Sequence, residues 1–258
     1  MQGLLAQGIS VRFGSRPVLQ GLDLPLLRPG EVTVLAGPNA AGKSTLLRAI
    51  AQLQPHGGRV VLDRQDLAHM PVSARSRLVG FMPQTLPGAS SLVALESVIA
   101  ALRAGATIGA RQADHAAMAV METLGIAALA LEPLSALSGG QRQMVSLAQA
   151  IVRDPRLLLL DEPTSALDLA RQVRLLSELR RLAGEGRIVV AVLHDLALAA
   201  QWADRIVLLH DGRTHAEGRP DEVLTPALLA QVYGVEARVE RCSRGRIMVL
   251  IDGEHAPD

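Results

Sequence analysis

The stretch of residues 37–45 constrains the fold of this chain more than any other. It reads Gly-Pro-Asn-Ala-Ala-Gly-Lys-Ser-Thr, follows the apolar run 32–36 and precedes a run of helical character that begins at Leu46. A glycine-framed loop between a strand and a helix is typical of a phosphate-binding loop, because its backbone N–H groups form a positive cradle for phosphate oxygens. The sequence therefore predicts an α/β fold that binds a nucleotide.

Within this loop, each residue type fits a bound nucleoside triphosphate with Mg²⁺. Glycine at positions 37 and 42 lets the backbone approach the phosphates without a Cβ atom. Lys43 is expected to reach the β- and γ-phosphates, and the Ser44 hydroxyl to bind Mg²⁺. Lys43 is the only lysine among the 26 Lys and Arg residues, and a compact ammonium suits a phosphate pocket better than a broad guanidinium. The predicted nucleotide-binding residues of the loop are Gly37, Pro38, Asn39, Ala40, Ala41, Gly42, Lys43, Ser44 and Thr45.

Composition excludes several other classes of protein. The formal net charge is +1, aromatic residues make up only 2% of the chain and no basic run occurs, so we expect no nucleic-acid partner. The single cysteine, Cys242, excludes an intrachain disulfide and fits a reducing compartment. The start of the chain lacks a charged segment followed by a long apolar one, so no signal peptide is expected. No apolar run approaches the roughly 18 residues that a membrane span needs.

Hydrophobic patterning divides the chain into segments. Residues 4–13 and 18–24 alternate weakly around a turn and predict an antiparallel hairpin. Between residues 86 and 137 strand signals vanish and helical spacing occurs twice, which predicts an inserted helical subdomain. Residues 235–239 and 246–251 predict a terminal hairpin, followed by a frayed Ala-Pro-Asp end. The expected organisation is a core formed by 1–84 and 156–234, a helical subdomain 85–155, and a C-terminal hairpin and tail 235–258.

Two further apolar runs are each followed by residues whose side chains can bind a metal ion or act in catalysis. Residues 157–160 are four leucines followed by Asp161 and Glu162, and residues 188–193 are followed by His194. Buried parallel strands have such runs, and ligands bind at the carboxyl ends of the strands. Beside a phosphate-binding loop, Asp161 is expected to be linked to Mg²⁺. An acidic turn and a structural histidine are the alternatives.

A second helix start that contains glycines follows the helical segment. Ser138, Gly139, Gly140 and Gln141 open a run of helical character that extends to about residue 152. Ser138 is the expected N-cap of this helix. Because the start of a helix attracts anions, this is a second possible anion site.

These stretches, in this order, resemble the nucleotide-binding subunits of ABC transporters across nearly the whole chain. Residues 37–45 resemble the Walker A motif of that family, and residues 157–162 resemble its Walker B motif. Residues 137–141, Leu-Ser-Gly-Gly-Gln, resemble its signature motif. The remaining matches are Gln84 as the Q-loop glutamine, Asp168 at the end of the D-loop and His194 as the H-loop histidine.

The resemblance implies the fold of P-loop NTPases in its ABC-type form. This is an α/β nucleotide-binding domain with an N-terminal antiparallel β-subdomain and an inserted helical subdomain. It also implies that ATP and Mg²⁺ bind, that ATP is hydrolysed, and that the chain forms a homodimer. In such a dimer two copies face head to tail, and each signature motif covers the ATP of the other copy.

By the same resemblance, Glu162 would polarise the attacking water, and His194 would hold the γ-phosphate and the water in line. Lys43 and Gln84 complete the expected catalytic set, and Gln84 would also link the state of the nucleotide to the helical subdomain. The expected Mg²⁺ ligands are Ser44, Gln84 and Asp161, the last of them through a water. The further residues expected to contact ATP or close its site are Phe13, Ser138, Gly139, Gly140, Gln141 and Asp168.

A closer resemblance is to the ATPases of importers for iron–siderophore, haem or cobalamin. It rests on residues 161–168, 194–196, 203–205, 222–226 and 232–235. It implies polytopic membrane permease subunits, an extracytoplasmic substrate-binding protein that acts through them, and a place at the cytoplasmic face of the bacterial inner (plasma) membrane. The alternatives are an importer ATPase for another small solute, a soluble ABC ATPase that acts on nucleic acid, and a non-hydrolysing regulatory partner.

Three positions depart from these families. Ala40 stands where a second inner glycine is usual, and alanine costs about 1–2 kcal/mol if the loop needs a positive φ there. Phe13 stands where tyrosine is usual, and it is either an ordinary core aromatic or a stacking face for the nucleotide base. Residues 102–106 lack the Gly-Arg-x-Pro-His element of the siderophore-type ATPases.

Overall fold

The computed structural model describes residues 2–84, 91–104 and 108–254 of the 258-residue chain. Strands and helices alternate through most of it. The strands, in chain order, are β1 (Leu4–Phe13), β2 (Arg16–Leu22), β3 (Val32–Ala36), β4 (Gly57–Leu62), β5 (Gln65–Asp66), β6 (Val79–Met82), β7 (Leu157–Asp161), β8 (Ile188–Val192), β9 (Arg205–His210), β10 (Arg213–Gly218), β11 (Val235–Arg241) and β12 (Ile247–Glu254). The helices are α1 (Lys43–Ile50), α2 (Val72–Leu78), α3 (Ala94–Arg103), α4 (Ala110–Thr123), α5 (Gly139–Ile151), α6 (Leu169–Gly184), α7 (Leu196–Trp202), α8 (Pro220–Val223) and α9 (Pro226–Tyr233).

The central sheet carries the phosphate-binding loop. Among the described residues its strand order is β10-β9-β3-β8-β7-β6, and every neighbouring pair is parallel except β10 with β9. Strands β3, β7 and β8 are buried at every position. In β7, Leu157 and Leu159 pack in the core that contains α1, whereas Leu158 and Leu160 pack in the core that contains α6. Burial on both faces explains why these strands are continuous apolar runs in the sequence.

The N-terminal strands form a second, antiparallel sheet with the order β2-β1-β4-β5 in the described chain. The predicted hairpin is confirmed, but its second strand starts at Arg16 instead of residue 18. The reason is that Phe13 and Arg16 already pair across a turn of Gly14 and Ser15. Strand β1 packs against α1, so this sheet lies beside the helix that follows the phosphate-binding loop.

Helices α3, α4 and α5 pack against one another. The two predicted helical spacings lie in α3 and α4, where Val98 and Met121 are fully buried. On α6, Val173 shares a helical spacing with the buried Leu176 and Leu179, but Val173 itself is 52% exposed. Burial along α6 begins only at Leu175, so the first turn and a half of the helix projects beyond the core.

Some expectations fall on residues outside the described ranges. These are the predicted boundary at residue 85, the start of the helical insertion at residue 86, positions 105 and 106 of the segment 102–106, and the Ala-Pro-Asp end at 256–258. The division of the chain into a core, a helical subdomain and a C-terminal tail stays a prediction.

The last two described strands, β11 and β12, pair as an antiparallel hairpin, which confirms the predicted hairpin at 235–251. Strand β12 packs against α7, and β11 packs against α9. The short helix α8 was not predicted from the sequence. The neighbouring residues favour this helix start, because Pro220 is its first residue and the Arg219 N–H donates to Glu222 Oε2 at 2.8 Å. In the ranges that the structure describes, no helix has the length and apolar character needed to span a lipid bilayer.

Candidate nucleotide-binding site

Four chain segments with polar residues meet at one edge of the central sheet. Strands β3, β6, β7 and β8 are parallel, so their carboxyl ends lie on the same side. Strand β3 leads into the loop 37–45, and β7 ends at Asp161 with Glu162 directly after it. Strand β8 leads to His194, and Gln84 lies two residues beyond β6. The sheet topology therefore gathers the residues that the sequence singled out.

The phosphate-binding loop closes around the ammonium group of Lys43. Gly42, with a φ of 98°, is the N-cap of α1, and Lys43 is the first residue of that helix. Lys43 is 5% exposed, and its Nζ donates to the carbonyl oxygens of Gly37 at 2.7 Å and Pro38 at 2.8 Å. Burial lowers the pKa of Lys43, and two nearby carboxylates oppose this shift. Because an ammonium has three N–H bonds, one remains for a further acceptor.

Gly37 sets the starting point of the loop. Its φ is 140°, and a Cβ atom at this position would lie 2.2 Å from the carbonyl oxygen of Leu209 in β9. Backbone atoms of a central strand cannot move aside, so only glycine fits here.

Ala40 has a left-handed backbone conformation with a φ of 65°. The loop therefore does need a positive φ at the position where the related families usually have glycine. Alanine bears a strain of about 1–2 kcal/mol in this conformation. The neighbouring Ala41 is buried and has no positive φ, so the strain is confined to one of the two alanines.

Replacing Ala40 with glycine is expected to stabilise the chain. Relief of the left-handed strain exceeds the cost of a more flexible unfolded chain, so the free energy of unfolding should rise by about 0.5–1 kcal/mol. Urea denaturation measures the change. Ala41→Gly is the matched control and should lower the free energy of unfolding, because Ala41 is buried and not strained. Effects of the same sign from both substitutions would contradict this account.

Ser44 and Asp161 form the candidate metal site. Ser44 Oγ donates to Asp161 Oδ1 at 2.7 Å, whereas Asp161 Oδ2 is buried and has no hydrogen-bond partner in the described ranges. Burial raises the pKa of Asp161, and the hydrogen bond from Ser44 opposes this shift. An unpartnered buried carboxylate oxygen beside a hydroxyl fits a hard cation that binds oxygen. In the described ranges, no cluster of three or more His, Cys, Asp or Glu side chains could hold a metal ion.

Glu162 is held at both oxygens of its carboxylate. Gln84 Nε2 donates to Oε2 at 2.8 Å, and His194 Nε2 lies 2.7 Å from Oε1. The backbone of Glu162 is left-handed, with a φ of 51°. Gln84 therefore uses its amide nitrogen for Glu162, and its contact with Mg²⁺, which would need the amide oxygen, stays a prediction.

Phe13 lines a cleft of about 280 Å³ beside the loop. It is 53% exposed, which excludes the interpretation as a core aromatic. Arg16 and Val18 of β2 also line the cleft and were missed in the sequence. The predicted hairpin could have indicated both residues, because their strand pairs with the strand that ends at Phe13, and Arg16 is the direct partner of Phe13. The predicted residues that line the cleft are Phe13, Asn39, Ala40, Gly42, Lys43, Ser44, Thr45, Glu162 and His194.

The residues of the signature-like motif do not line this cleft in their own chain. Ser138 is the N-cap of α5, and its N–H donates to Gln141 Oε1 at 2.8 Å while the Gln141 N–H donates to Ser138 Oγ at 3.3 Å. Gly139 and Gly140 form the first turn of the helix. Asp168 is the N-cap of α6 and accepts a backbone N–H at 2.9 Å. The structure thus gives these residues helix-capping roles within one copy.

Two residues that sequence reasoning missed support the site from the side of the protein core. Gln143 of α5 is 6% exposed and donates to the carbonyl oxygen of Glu162 at 2.8 Å. Burial raises the pKa of Tyr233, in α9, to about 12, against the effect of a backbone hydrogen bond from Gly37. Tyr233 is the single tyrosine of the chain. No local pattern places Gln143 beside Glu162 or Tyr233 beside Gly37, because both contacts join separate segments of the sequence.

The chain is similar to a known family and to named relatives. Residues 19–165 match the family described as ABC transporter. The hemin import ATP-binding protein HmuV of Pseudomonas fluorescens is 40% identical over 257 residues, which cover 96% of this chain and 99% of that protein. The protein of the same name from Streptomyces coelicolor is 45% identical over 235 residues, which cover 88% of this chain and 82% of that protein.

Solved structures agree with these matches. A metal-chelate type ABC transporter in an inward-facing conformation superposes with a TM-score of 0.80 at 25% identity, over 98% of each chain. A dimeric bacterial ABC transporter cassette superposes with a TM-score of 0.77 at 27% identity, over 84% of this chain and 98% of that one. These matches confirm the predicted fold class. The chain belongs to the ABC transporter family, as one of its ATP-binding, ATP-hydrolysing cassettes.

Proposed function

We propose that this chain is the ATPase subunit of an importer for a metal chelate, with haem as the first candidate cargo. The observation that carries the proposal is its 40% identity with a hemin import ATP-binding protein over 96% of the chain. The structural likeness to a metal-chelate type transporter covers 98% of the chain and so extends into the C-terminal hairpin. Iron–siderophore and cobalamin are the other cargoes of the same class.

The geometry at the sheet edge supports hydrolysis with Glu162 as the general base. A carboxylate that is held at both oxygens has a fixed orientation and can still accept a proton from water. His194 is partly exposed and lines the same cleft, where it would hold the γ-phosphate and the water in line. Lys43 would neutralise charge on the transferred phosphoryl group, since its ammonium is already fixed by the loop.

Ser44 and Asp161 would hold Mg²⁺, with Gln84 as a further ligand. The support is the buried Oδ2 atom of Asp161, which has no hydrogen-bond partner in the part of the chain that the structure describes, although the other oxygen accepts from Ser44. When bound, Mg²⁺ would neutralise part of the negative charge on the β- and γ-phosphates. Asp161 and Ser44 then serve to orient it relative to the loop.

Asp161→Asn is expected to make the nucleotide-free chain more heat-stable and to abolish Mg²⁺-dependent turnover. Burial raises the pKa of Asp161, so the folded chain binds this proton more tightly than the unfolded chain. The free energy of unfolding therefore falls as the pH rises above the ordinary range of aspartate, and an amide avoids this cost. The Tm of the variant should exceed that of the parent, by a margin that grows as the pH rises above the ordinary pKa of aspartate.

The control for this pH dependence is Asp114→Asn on the exposed surface of α4. Its Tm should follow that of the parent at every pH. A Tm of Asp161→Asn that stays below that of the parent at neutral pH would contradict the argument from burial. Parental turnover in Asp161→Asn would contradict its role at the metal site.

One copy leaves the site incomplete, which supports a head-to-tail homodimer with ATP between the two copies. The signature residues 138–141 do not line the cleft of their own chain, and a solved cassette similar to this one is dimeric. Ser138 and Gly140 would contact the γ-phosphate held by the other copy. Leu169 and Val173 lie one turn apart at the start of α6 and are 81% and 52% exposed. A second copy would cover this apolar strip.

A groove bordered by α2, β6, α3 and α5 is the surface where we place a polytopic membrane subunit. Exposed Leu53 and Val72 line it together with Phe81 of β6. Strand β6 leads to Gln84, which contacts Glu162. Because β6 joins the groove to Gln84, a conformational change at the γ-phosphate would be transmitted to the groove. Bound in this way, the chain would lie at the cytoplasmic face of the bacterial inner membrane, and an extracytoplasmic binding protein would supply the cargo.

Purification in detergent tests the membrane partner. We expect the tagged chain to retain a polytopic membrane protein encoded by the same organism and to show no salt-sensitive binding to DNA or RNA. Val72→Asp, in the groove, should lose the membrane protein. Leu131→Asp should retain it, because Leu131 is also exposed but lies outside the groove. Nucleic-acid binding without a membrane partner would favour the alternative of a soluble ATPase.

A further inference from the structure

The side chain of Gln143 joins the helix α5 to the segment that follows β7. Its Nε2 donates to the carbonyl oxygen of Glu162 at 2.8 Å and to Ser165 Oγ at 3.3 Å. Its Oε1 accepts the backbone N–H of Ala166 at 3.1 Å. The side chain is 6% exposed. A buried amide that uses both its donor and its acceptor fixes the groups that it holds.

Glu162 has a backbone conformation that requires such support. Its φ of 51° is unfavourable for a residue with a side chain and persists only where the surroundings hold it. Besides Gln143, the hydroxyl and the N–H of Ser165 donate to the same carbonyl, at 3.1 and 3.3 Å. Gln84 and His194 hold the carboxylate at the other end of the residue. A change of φ at Glu162 would move its carbonyl oxygen and its carboxylate together, so the bonds to the carbonyl also restrain the carboxylate.

The start of α5 lies in close contact with the same segment. A Cβ atom on Gly140 would lie 2.8 Å from the carbonyl oxygen of Ala166. The two backbones are thus in close contact, and Gln143 is the side chain that joins the helix to Glu162.

We propose that Gln143 is a positioning residue for ATP hydrolysis, which sets the orientation of Glu162 through its backbone carbonyl. The inference rests on the proposed role of Glu162 as general base. Gln143 lies on the helix whose first turn would cover the ATP of the other copy. Closure of α5 on that nucleotide would thus orient the base in the site of its own chain. Gln143 does not touch the reacting atoms.

The test is Gln143→Met in the full chain, with kcat and KM for ATP measured per folded molecule. Methionine is similar in length, fills the same space and makes no comparable hydrogen bonds. We expect kcat to fall about 10- to 100-fold, because a misplaced catalytic group costs that much. KM should stay within about twofold, because the phosphate-binding loop is unchanged. Gln143→Asn, whose shorter side chain cannot make these contacts together, serves if the methionine variant does not fold.

Ser146→Ala is the matched control. Ser146 lies on the same helix and is 2% exposed, but its Oγ has no hydrogen-bond partner among the described residues. Its kcat should equal that of the parent. A kcat of Gln143→Met equal to that of Ser146→Ala would overturn the inference while the proposed function stands. A parent chain that does not hydrolyse ATP would overturn both.

A double-mutant comparison separates positioning from a merely structural effect. If Gln143 acts through Glu162, Gln143→Met should lower the residual single-turnover rate of the Glu162→Gln variant by less than about twofold. An equal fold-reduction in the two backgrounds would show that Gln143 acts independently of Glu162, and the inference would be wrong.

Discussion

Replacing Glu162 with glutamine should lower the rate of ATP hydrolysis by about 100- to 10,000-fold, the usual contribution of a general base. The substitution keeps the size of the side chain but removes the oxygen that can take a proton. It also places an NH₂ group beside either the Gln84 amide nitrogen or His194, at positions where the parent has contacts of 2.8 and 2.7 Å. Binding of ATP should persist, because Lys43 and the loop are unchanged. The variant should therefore accumulate as an ATP-dependent dimer.

Turnover assays and size-exclusion chromatography with ATP measure the two parts of this prediction. Glu122→Gln is the control, because Glu122 is an exposed residue of α4. It should hydrolyse ATP like the parent and should not form a trapped dimer. Parental turnover in Glu162→Gln would show that another residue is the base. A variant that is inactive but stays monomeric with ATP would contradict the predicted dimer.

Replacing Lys43 with methionine should weaken ATP binding by about 100-fold, because it removes a charge-assisted hydrogen bond to phosphate in a buried site. The ammonium is held by the carbonyl oxygens of Gly37 and Pro38 at 2.7 and 2.8 Å, so the loop itself orients it. Isothermal titration calorimetry with ATP measures the effect. Lys43→Arg should bind almost as poorly, because a guanidinium is too broad for the space between the two carbonyls.

The control for Lys43 is Arg111→Met on the exposed surface of α4, which removes one positive charge far from the loop. It should leave the dissociation constant for ATP unchanged. If Lys43→Arg bound ATP like the parent, the positive charge alone would matter and the geometric argument would be wrong. If Lys43→Met bound like the parent, the loop would not be the phosphate site.

The edge of the central sheet could be predicted from the sequence because its residues follow recognisable strands. Asp161, Glu162 and His194 each come directly after an apolar run, and parallel strands bring their carboxyl ends to one edge. The capping role of Ser138 was equally local, since it depends on residues within one helical turn. Features that one segment determines by itself are thus present in the sequence.

The features that the sequence did not reveal depend on contacts between segments. The φ of 65° at Ala40 is set by the shape of the whole loop, and nothing in the neighbouring residue types requires it. The bond from Gln84 to Glu162 exists only because β6 and β7 are neighbours in the sheet. The local sequence shows Gln143 only as one residue of α5. Its proposed role depends on a hydrogen bond to the carbonyl oxygen of Glu162, 19 residues away. Val173 continues a helical pattern but lies beyond the buried part of α6.

The most direct test of the proposed function uses vesicles that contain the chain together with its copurified membrane subunits. Haem with its binding protein should raise the rate of ATP hydrolysis and drive haem into the lumen, and both effects should disappear with Glu162→Gln. Iron–siderophore and cobalamin serve as competing cargoes in the same vesicles. Stimulation by one of these and not by haem would correct the cargo. Hydrolysis that responds to none of the three would contradict the proposal of a metal-chelate importer.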